Sequence, residues 1–201
     1  MNKILVTFAT ESGSTREVAE EIGKTLRHNG TLVEVHPIRE TRNLSAYDAV
    51  VVGGPMIMGW HREALQFIQA HQRVLSQKPV AYFVTALSLT RTAETSLDGI
   101  PIFQDPALAK PPKNPDRLSY KENYATVKNY LAPPLHKAPQ VKPMSVGFFA
   151  GKLDYRTLKL PQMLFVLLVI AARPGDLRNW ELIRSWAGEL GPRLAPIKEV
   201  R

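Results

Sequence analysis

Ile4-Leu5-Val6-Thr7-Phe8-Ala9-Thr10-Glu11-Ser12-Gly13-Ser14-Thr15 is the stretch on which the fold turns. Its first six residues are an apolar, β-rich run, the pattern of a short strand buried on both faces. From Ser14 onward the spacing changes: Val18, Ala19, Ile22 and Leu26 fall on one helical face, and Asn29-Gly30 gives a stop signal. Between strand and helix lie Thr10, Glu11, Ser12, Gly13, Ser14 and Thr15. A helix N-terminus carries unpaired N–H groups and the positive end of a dipole, which together attract an anion. Gly13 lets the backbone fold close to a ligand, and Thr10, Ser12, Ser14 and Thr15 add hydroxyl donors. The same residues also suit an ordinary strand–turn–helix with a Ser/Thr cap. There is no G-x-x-x-x-G-K-[ST] and no G-x-G-x-x-G, so nothing here serves a γ-phosphate, its Mg²⁺ or a dinucleotide. The loop fits a terminal monophosphate held by neutral donors.

Working outward, strand and helix patterns alternate. Leu32–Ile38 reads as a second strand and Ala49–Gly53 as a third, closed by Gly54-Pro55. His61–Leu75 has helical spacing, and Pro79–Leu87 is a fourth strand. The rhythm then breaks: Thr90–Ser119 holds Pro101, Pro106, Pro111, Pro112 and Pro115 and reads as a long loop or insertion. Tyr120–Leu131 recovers helical spacing, Met144–Leu153 is a fifth strand, and helices follow near Leu158–Ala172 and over Asp176–Leu190. Five strands alternating with helices predict an α/β fold: a doubly wound, five-stranded parallel sheet with helices on both faces. The expected organisation is one domain over residues 1–201 with a proline-rich insertion at about 90–119, and the 44% hydrophobic content suffices for one core.

Composition narrows the chemistry. No cysteine is present, which excludes disulfides, iron–sulfur ligation and thiol catalysis, so redox work would fall to an organic cofactor or a non-thiolate metal. His28, His36, His61, His71 and His136 show no ligand spacing, and no metal site is expected. The net charge of +8 is uneven: residues 1–55 carry 6 basic and 7 acidic side chains, residues 56–155 carry 12 and 7, and residues 156–201 carry 8 and 4. A basic face suits a polycarboxylate ligand or an anionic membrane surface. Nucleic acid is not expected as a partner, because the basic residues form no run and no base-reading element is present. Met1-Asn2-Lys3 and the short apolar run after it lack a signal-peptide core, which points to the cytoplasm. The longest apolar stretch, Met163–Ala172, would span about 15 Å as a helix, against a hydrocarbon core of about 30 Å.

The loop pattern T-x-S-G-x-T at Thr10–Thr15, with Tyr47-Asp48-Ala49-Val50-Val51-Val52-Gly53-Gly54-Pro55 leading to a second loop, resembles the flavodoxin family. The switch-point rule for doubly wound sheets itself cites flavodoxin, with flavin mononucleotide (FMN) between the first and third strands, so that placement comes with the resemblance. By this likeness Thr10–Thr15 hold the FMN phosphate. Pro55-Met56-Ile57-Met58-Gly59-Trp60 and Thr85-Ala86-Leu87-Ser88 then flank the isoalloxazine. Met56, Met58 and Trp60 offer walls for a flat ring, or else simply cover the top of the sheet. Dedicated single-electron flavodoxins are usually acidic, whereas here His61, Arg62 and Arg91 lie near the expected ring, with Glu63 and Glu94 the only nearby acids. Positive charge favours a reduced flavin anion and suits two-electron chemistry, unless these arginines point into solvent.

The tail is more particular. Ala150-Gly151-Lys152-Leu153-Asp154-Tyr155-Arg156, then an apolar helix, then Gly175-Asp176-Leu177-Arg178-Asn179-Trp180, is similar to the menaquinone-dependent protoporphyrinogen IX dehydrogenase branch of the flavodoxin superfamily. That likeness implies an oxidoreductase moving two electrons from a tetrapyrrole precursor through FMN to a membrane quinone. Arg62, Arg91, Lys152 and Arg156 are then candidate partners for substrate propionates. Leu158–Ala172 either packs on the sheet as a buried helix or makes peripheral contact with the inner face of a bilayer. No residue stands out as a general base. The rival reading is an electron-transfer module that docks on a redox partner protein and has no small substrate; a flavodoxin fold without FMN is the third.

Overall fold

The computed structural model describes residues 2–27, 31–57, 59–91, 94–154, 160–165, 167–168 and 174–194. Strand β1 (Lys3–Phe8) lies at the centre, pairing in parallel with β2 (Leu32–Pro37) on one side and β3 (Ala49–Met56) on the other. The sheet continues in parallel through β4 (Val80–Ala86) to β9 (Val146–Ala150). These five are the strands expected from the alternating pattern. Because β2 and β3 flank β1 from opposite sides, the chain reverses direction across the sheet there, and the carboxyl ends of β1 and β3 open a crevice.

Both faces are covered, which is why the strands read as unbroken apolar runs. Ile4, Val6 and Phe8 pack with Val18, Ala19 and Ile22 of α1 (Ser14–Leu26) and with Trp186 and Leu190 of α7 (Trp180–Leu194). On the other face Leu5, Val50, Val52 and Tyr82 pack with Phe67 and Ile68 of α2 (Arg62–Ala70) and Leu131 of α5 (Val127–Lys137). The expected helix His61–Leu75 is interrupted at His71, which leaves helical geometry with φ −104° and ψ 13°; α3 (Gln72–Leu75) follows it.

The insertion departs most from expectation. It holds β5 (Leu89–Thr90), β6 (Ser96–Leu97), β7 (Ile100–Gln104) and β8 (Ala109–Lys110), then α4 (Tyr120–Tyr124). Strand β7 adds in parallel to β9 and β6 adds antiparallel to β7, so the sheet has seven strands rather than five. Asp98 and Gly99 make the turn between β6 and β7 with φ of 50° and 78°. Asp-Gly with both residues at positive φ is a strong short-range hairpin signal, and it stands in the sequence inside the run that proline content marks as a loop.

Strand β3 also runs three residues past Gly53. Its partner β1 stops at Phe8, opposite Gly53, while β4 continues opposite Pro55 and Met56. With one neighbour gone, the missing N–H of Pro55 leaves no bond unmade on that side. The strand can therefore carry its proline up to the site. Of the apolar segment Leu158–Ala172, the structure describes α6 (Leu160–Phe165) together with Leu167 and Leu168; the rest lies outside the described residues. Leu160, Leu164, Leu167 and Leu168 are 64%, 45%, 44% and 72% exposed, so these four leucines do not pack on the sheet as a buried helix would. No helix among the described residues is long and apolar enough to cross a membrane.

Candidate functional site

The turn after β1 is organised by its own backbone. Ala9 N–H donates to Gly53 O at 2.9 Å, fixing the loop beside β3. Gly13 N–H donates to Thr10 Oγ1 at 3.0 Å. Gly13 takes φ 86°, a left-handed conformation that favours glycine, and no side chain caps the helix behind it. The first intrahelical bond runs from Glu17 N–H to Gly13 O. The N–H groups of Ser14, Thr15 and Arg16 therefore have no intrahelical acceptor, and Ser14 and Thr15 line the switch-point crevice. The capping reading of this turn is not met: no hydroxyl here occupies the N-cap.

Thr15 is buried, and its hydroxyl bonds Thr85 Oγ1 at 2.9 Å, tying the first loop to the end of β4. Glu11, Ser12, Ser14, Thr15, Pro55, Met56, Ile57, Thr85, Ala86, Leu87, Gly151, Lys152, Leu153 and Asp154 thus line one crevice. The crevice is narrow, about 30 Å³. Small-molecule pockets run roughly 300–1,000 Å³, so a flat ring enters only if the flanking loops part. The Pro55 loop is closed by a bridge between Met56 and Trp60, with Gly59 at φ 109°.

Other expected site residues lie on the far side of that loop. Thr10, Gly59, Trp60 and Arg62 line a second cleft of about 330 Å³ together with Arg39, His61 and Glu63. Trp60 is 7% exposed; its ring sits edge-on to Tyr82 at 5.7 Å, and its indole N–H donates to Tyr130 O. Packing within the core occupies most of its surface. Ser88 faces a third cleft, in the insertion. Arg91 is exposed there, with its backbone N–H donating to Lys110 O. Met58 and Arg156 lie outside the described residues. The candidate propionate partners are therefore not gathered: Lys152 is at the crevice, Arg62 beyond the loop and Arg91 on the insertion.

Electrostatics correct one expectation. His61 Nε2 and Glu11 Oε1 pair at 3.2 Å across the second cleft, and Arg39 pairs with Glu63. The guanidinium of Arg39 holds the Glu63 carboxyl below its usual range. Glu63 and Glu94 are thus not the only acids near the expected ring, since Glu11 and Asp154 line the crevice too. Two of the second cleft's bases, Arg39 and His61, thus each face an acid, while Arg62 lines the cleft as well.

In the sequence Arg178 stands within the Gly175–Trp180 motif, with no role of its own assigned to it. Its side chain is 3% exposed, pairs with Glu17 at 2.8 Å and Asp176 at 2.6 Å, and donates to Ser14 O at 3.3 Å. It also lies over the Trp180 ring at 4.5 Å. Strand β11 (Gly175–Asp176) pairs with β10 (Lys152–Leu153), which brings this arginine against the first turn of α1. The Gly175–Trp180 motif was visible, but no local signal names a partner more than 160 residues away.

A family model described as a flavodoxin domain matches residues 5–173. The protoporphyrinogen IX dehydrogenase [quinone] of Escherichia coli strain K12 is 33% identical over 85 residues, which covers 40% of this chain and 46% of that protein. The match thus spans about half the length of the curated relative. Among solved structures, a flavodoxin from the domain Archaea superposes with a TM-score of 0.51 at 12% identity, over 96% of this chain and 98% of that one. A flavodiiron protein from Giardia intestinalis gives 0.50 at 12% identity, over 96% of this chain and 36% of its own. At such identities these two likenesses concern the fold alone.

Proposed function

This chain belongs to the flavodoxin domain family, which implies a flavin cofactor, and from that premise we propose that it is an FMN-dependent oxidoreductase of the protoporphyrinogen IX dehydrogenase type. The observation that carries the reading is the uncapped first turn of α1, opening between two loops at the β1/β3 switch point. The N–H groups of Ser14, Thr15 and Arg16 and the hydroxyls of Ser12 and Ser14 hold the phosphate monoester, with no lysine required. Glu11 turns toward His61 and so leaves the anion to these donors. Arg178 fixes the turn from behind through Ser14 O. Met56, Ile57 and Leu87 flank the ring, and Lys152 at the crevice rim orients an anionic donor. When bound, FMN would supply two-electron redox chemistry between an organic donor and a quinone. The chain's own part is to position both partners and keep water from the ring; no side chain is assigned a proton. The exposed leucines at 160, 164, 167 and 168 rest on the inner face of a bilayer, from which an apolar quinone is drawn.

The paired charges of the second cleft favour an alternative, an electron carrier that docks on a redox protein and has no small substrate. Two measurements separate the readings. FMN-loaded protein should convert protoporphyrinogen to fluorescent porphyrin with a soluble quinone, and a redox titration should show one two-electron step. Turnover no faster than the flavin-free background, with two separated one-electron steps, selects the carrier. Protein that quenches no FMN fluorescence removes both. Flotation with anionic liposomes tests the leucine patch; protein left wholly in the aqueous fraction overturns it.

A further inference from the structure

The insertion contains a cleft that none of the expected site residues except Ser88 lines. It measures about 310 Å³ and lies between the β5–β8 ribbon and the α4–α5 elbow. Its floor is apolar and buried: Leu89, Ala125 and Tyr130. Its rim carries the exposed side chains of Lys110, Lys113 and Lys121. Among the described residues none of the three forms an ion pair within 4 Å, though Lys113 is near enough to Glu122 to help lower its carboxyl; in the second cleft Arg39 and His61 are taken. The single acid at the rim, Glu122, is turned to the backbone: it accepts from Lys113 N–H, Ser119 N–H and the Ser119 hydroxyl. Three cations over an apolar, tyrosine-lined floor form a surface for an apolar ring system bearing carboxylates.

The cleft is coupled to the crevice. Tyr130 hydroxyl donates to Ser88 O at 2.9 Å, and Ser88 follows the Thr85–Leu87 loop directly. On the other side, a Cβ placed at Gly59 would stand 4.0 Å from Tyr124 Oη, so the Pro55–Trp60 loop abuts the cleft wall. Lys121 Nζ donates to Leu168 O at 3.2 Å, which joins the rim to the exposed leucines.

We propose that this lysine-rimmed cleft of the insertion is the docking site for the carboxylate edge of an anionic tetrapyrrole, whose ring then lies toward the Leu87–Ser88 and Gly59 loops. The inference rests on the function proposed above and names where its substrate binds. A cleft of 310 Å³ is at the small end of ligand pockets, so it takes one edge of the macrocycle, not the whole. The propionates meet Lys110, Lys113 and Lys121, in place of the scattered Arg62, Arg91 and Lys152.

The test is fluorescence titration of the full chain, with and without FMN, using protoporphyrin IX and its dimethyl ester. The variant Lys110→Gln/Lys113→Gln/Lys121→Gln removes the rim charge and, at Lys121, the ammonium that donates to Leu168 O; all three side chains are exposed. Exposed charge pairs contribute modestly, so the free acid should bind about tenfold more weakly to the variant. The diester, which carries no carboxylate, should bind both proteins alike. Equal affinity of the free acid for both proteins overturns the proposal, as does an equal loss for acid and diester, or no porphyrin binding at all. Because the titration reads porphyrin and not turnover, FMN that fails to bind while the lysine effect persists removes the proposed function and leaves the cleft standing.

Discussion

The face of the sheet covered by α1 and α7 and the insertion between β4 and β9 are held together by different means. On the first, Phe83, Phe149, Trp186, Ile22 and Leu190 interlock with almost no polar contact among them. Gly147 belongs to this packing, since a Cβ there would come within 2.7 Å of the Phe149 ring and 3.0 Å of Trp186. The insertion also has an apolar floor, but its short strands are fixed by single polar contacts. Asp105, 1% exposed, accepts Ala107 N–H at 2.9 Å and Ala150 N–H at 3.4 Å. Thr90 hydroxyl donates to Glu122 O, Tyr130 hydroxyl to Ser88 O, and Trp60 reaches Tyr130 O. Apolar interlocking gives cooperative stability, whereas polar stitching gives a region that opens locally and responds to pH.

The largest expected effect lies on the first region. Trp186→Ala removes a side chain that is 1% exposed and stands edge-on to Phe149 at 5.4 Å. It also leaves Ser145 Oγ without the indole N–H that now donates to it at 3.0 Å. The loss should be about 3–5 kcal/mol, read as a lowered midpoint of chemical unfolding for the chain as a whole. A shift confined to α7, with the sheet unaffected, would break the comparison, because it would mean this face is no more cooperative than the insertion.

A smaller effect belongs to the phosphate turn. Gly13 stands at φ 86° with nothing within 4 Å of a Cβ, so Gly13→Ala meets conformational strain and no clash. The cost should be about 1–2 kcal/mol in thermal or chemical unfolding. Gly13→Asn, which tolerates the left-handed region, should recover part of it. If alanine proves neutral, the turn rearranges freely, and its aim at the crevice is not built in.

What was legible divides along the same line. The run Ile4–Ala9, the spacing of Val18, Ala19 and Ile22, and the hydroxyls of Thr10–Thr15 are local signals, and they predict the strand, the helix and the loop where these occur. Residues 90–119 read as a loop because proline content outweighed Asp98-Gly99, and because nothing local says that Ile102, Phe103 and Gln104 pair with Val146, Gly147 and Phe148. Pro55 looked like a strand end because the early stop of β1 is a tertiary fact. At the site, the loop residues were readable from their types. Thr15 bonding Thr85 and Arg178 holding Ser14 were not, since each contact exists only once the sheet has closed.

The smallest effect isolates the polar stitching. The Glu122 carboxyl, accepting from Lys113 N–H and from both the N–H and hydroxyl of Ser119, is held down to about 2, against an ordinary 4.5. A carboxyl with a depressed folded-state pKa contributes stability that is fully present above the unfolded value and lost as pH falls through the folded one. The window here runs from 4.5 down to about 2. Amide exchange at Lys113 and Ser119 should therefore gain an extra, pH-linked acceleration across that window, while amides of β1 and β4 keep their protection until the whole chain unfolds. In Glu122→Gln the same two amides should already be less protected at neutral pH, and the extra acid step should vanish. An unchanged step in the variant would assign the acid response to another carboxyl, and would show that the α4 end of the insertion, which carries the lysine rim, is held by its apolar floor instead.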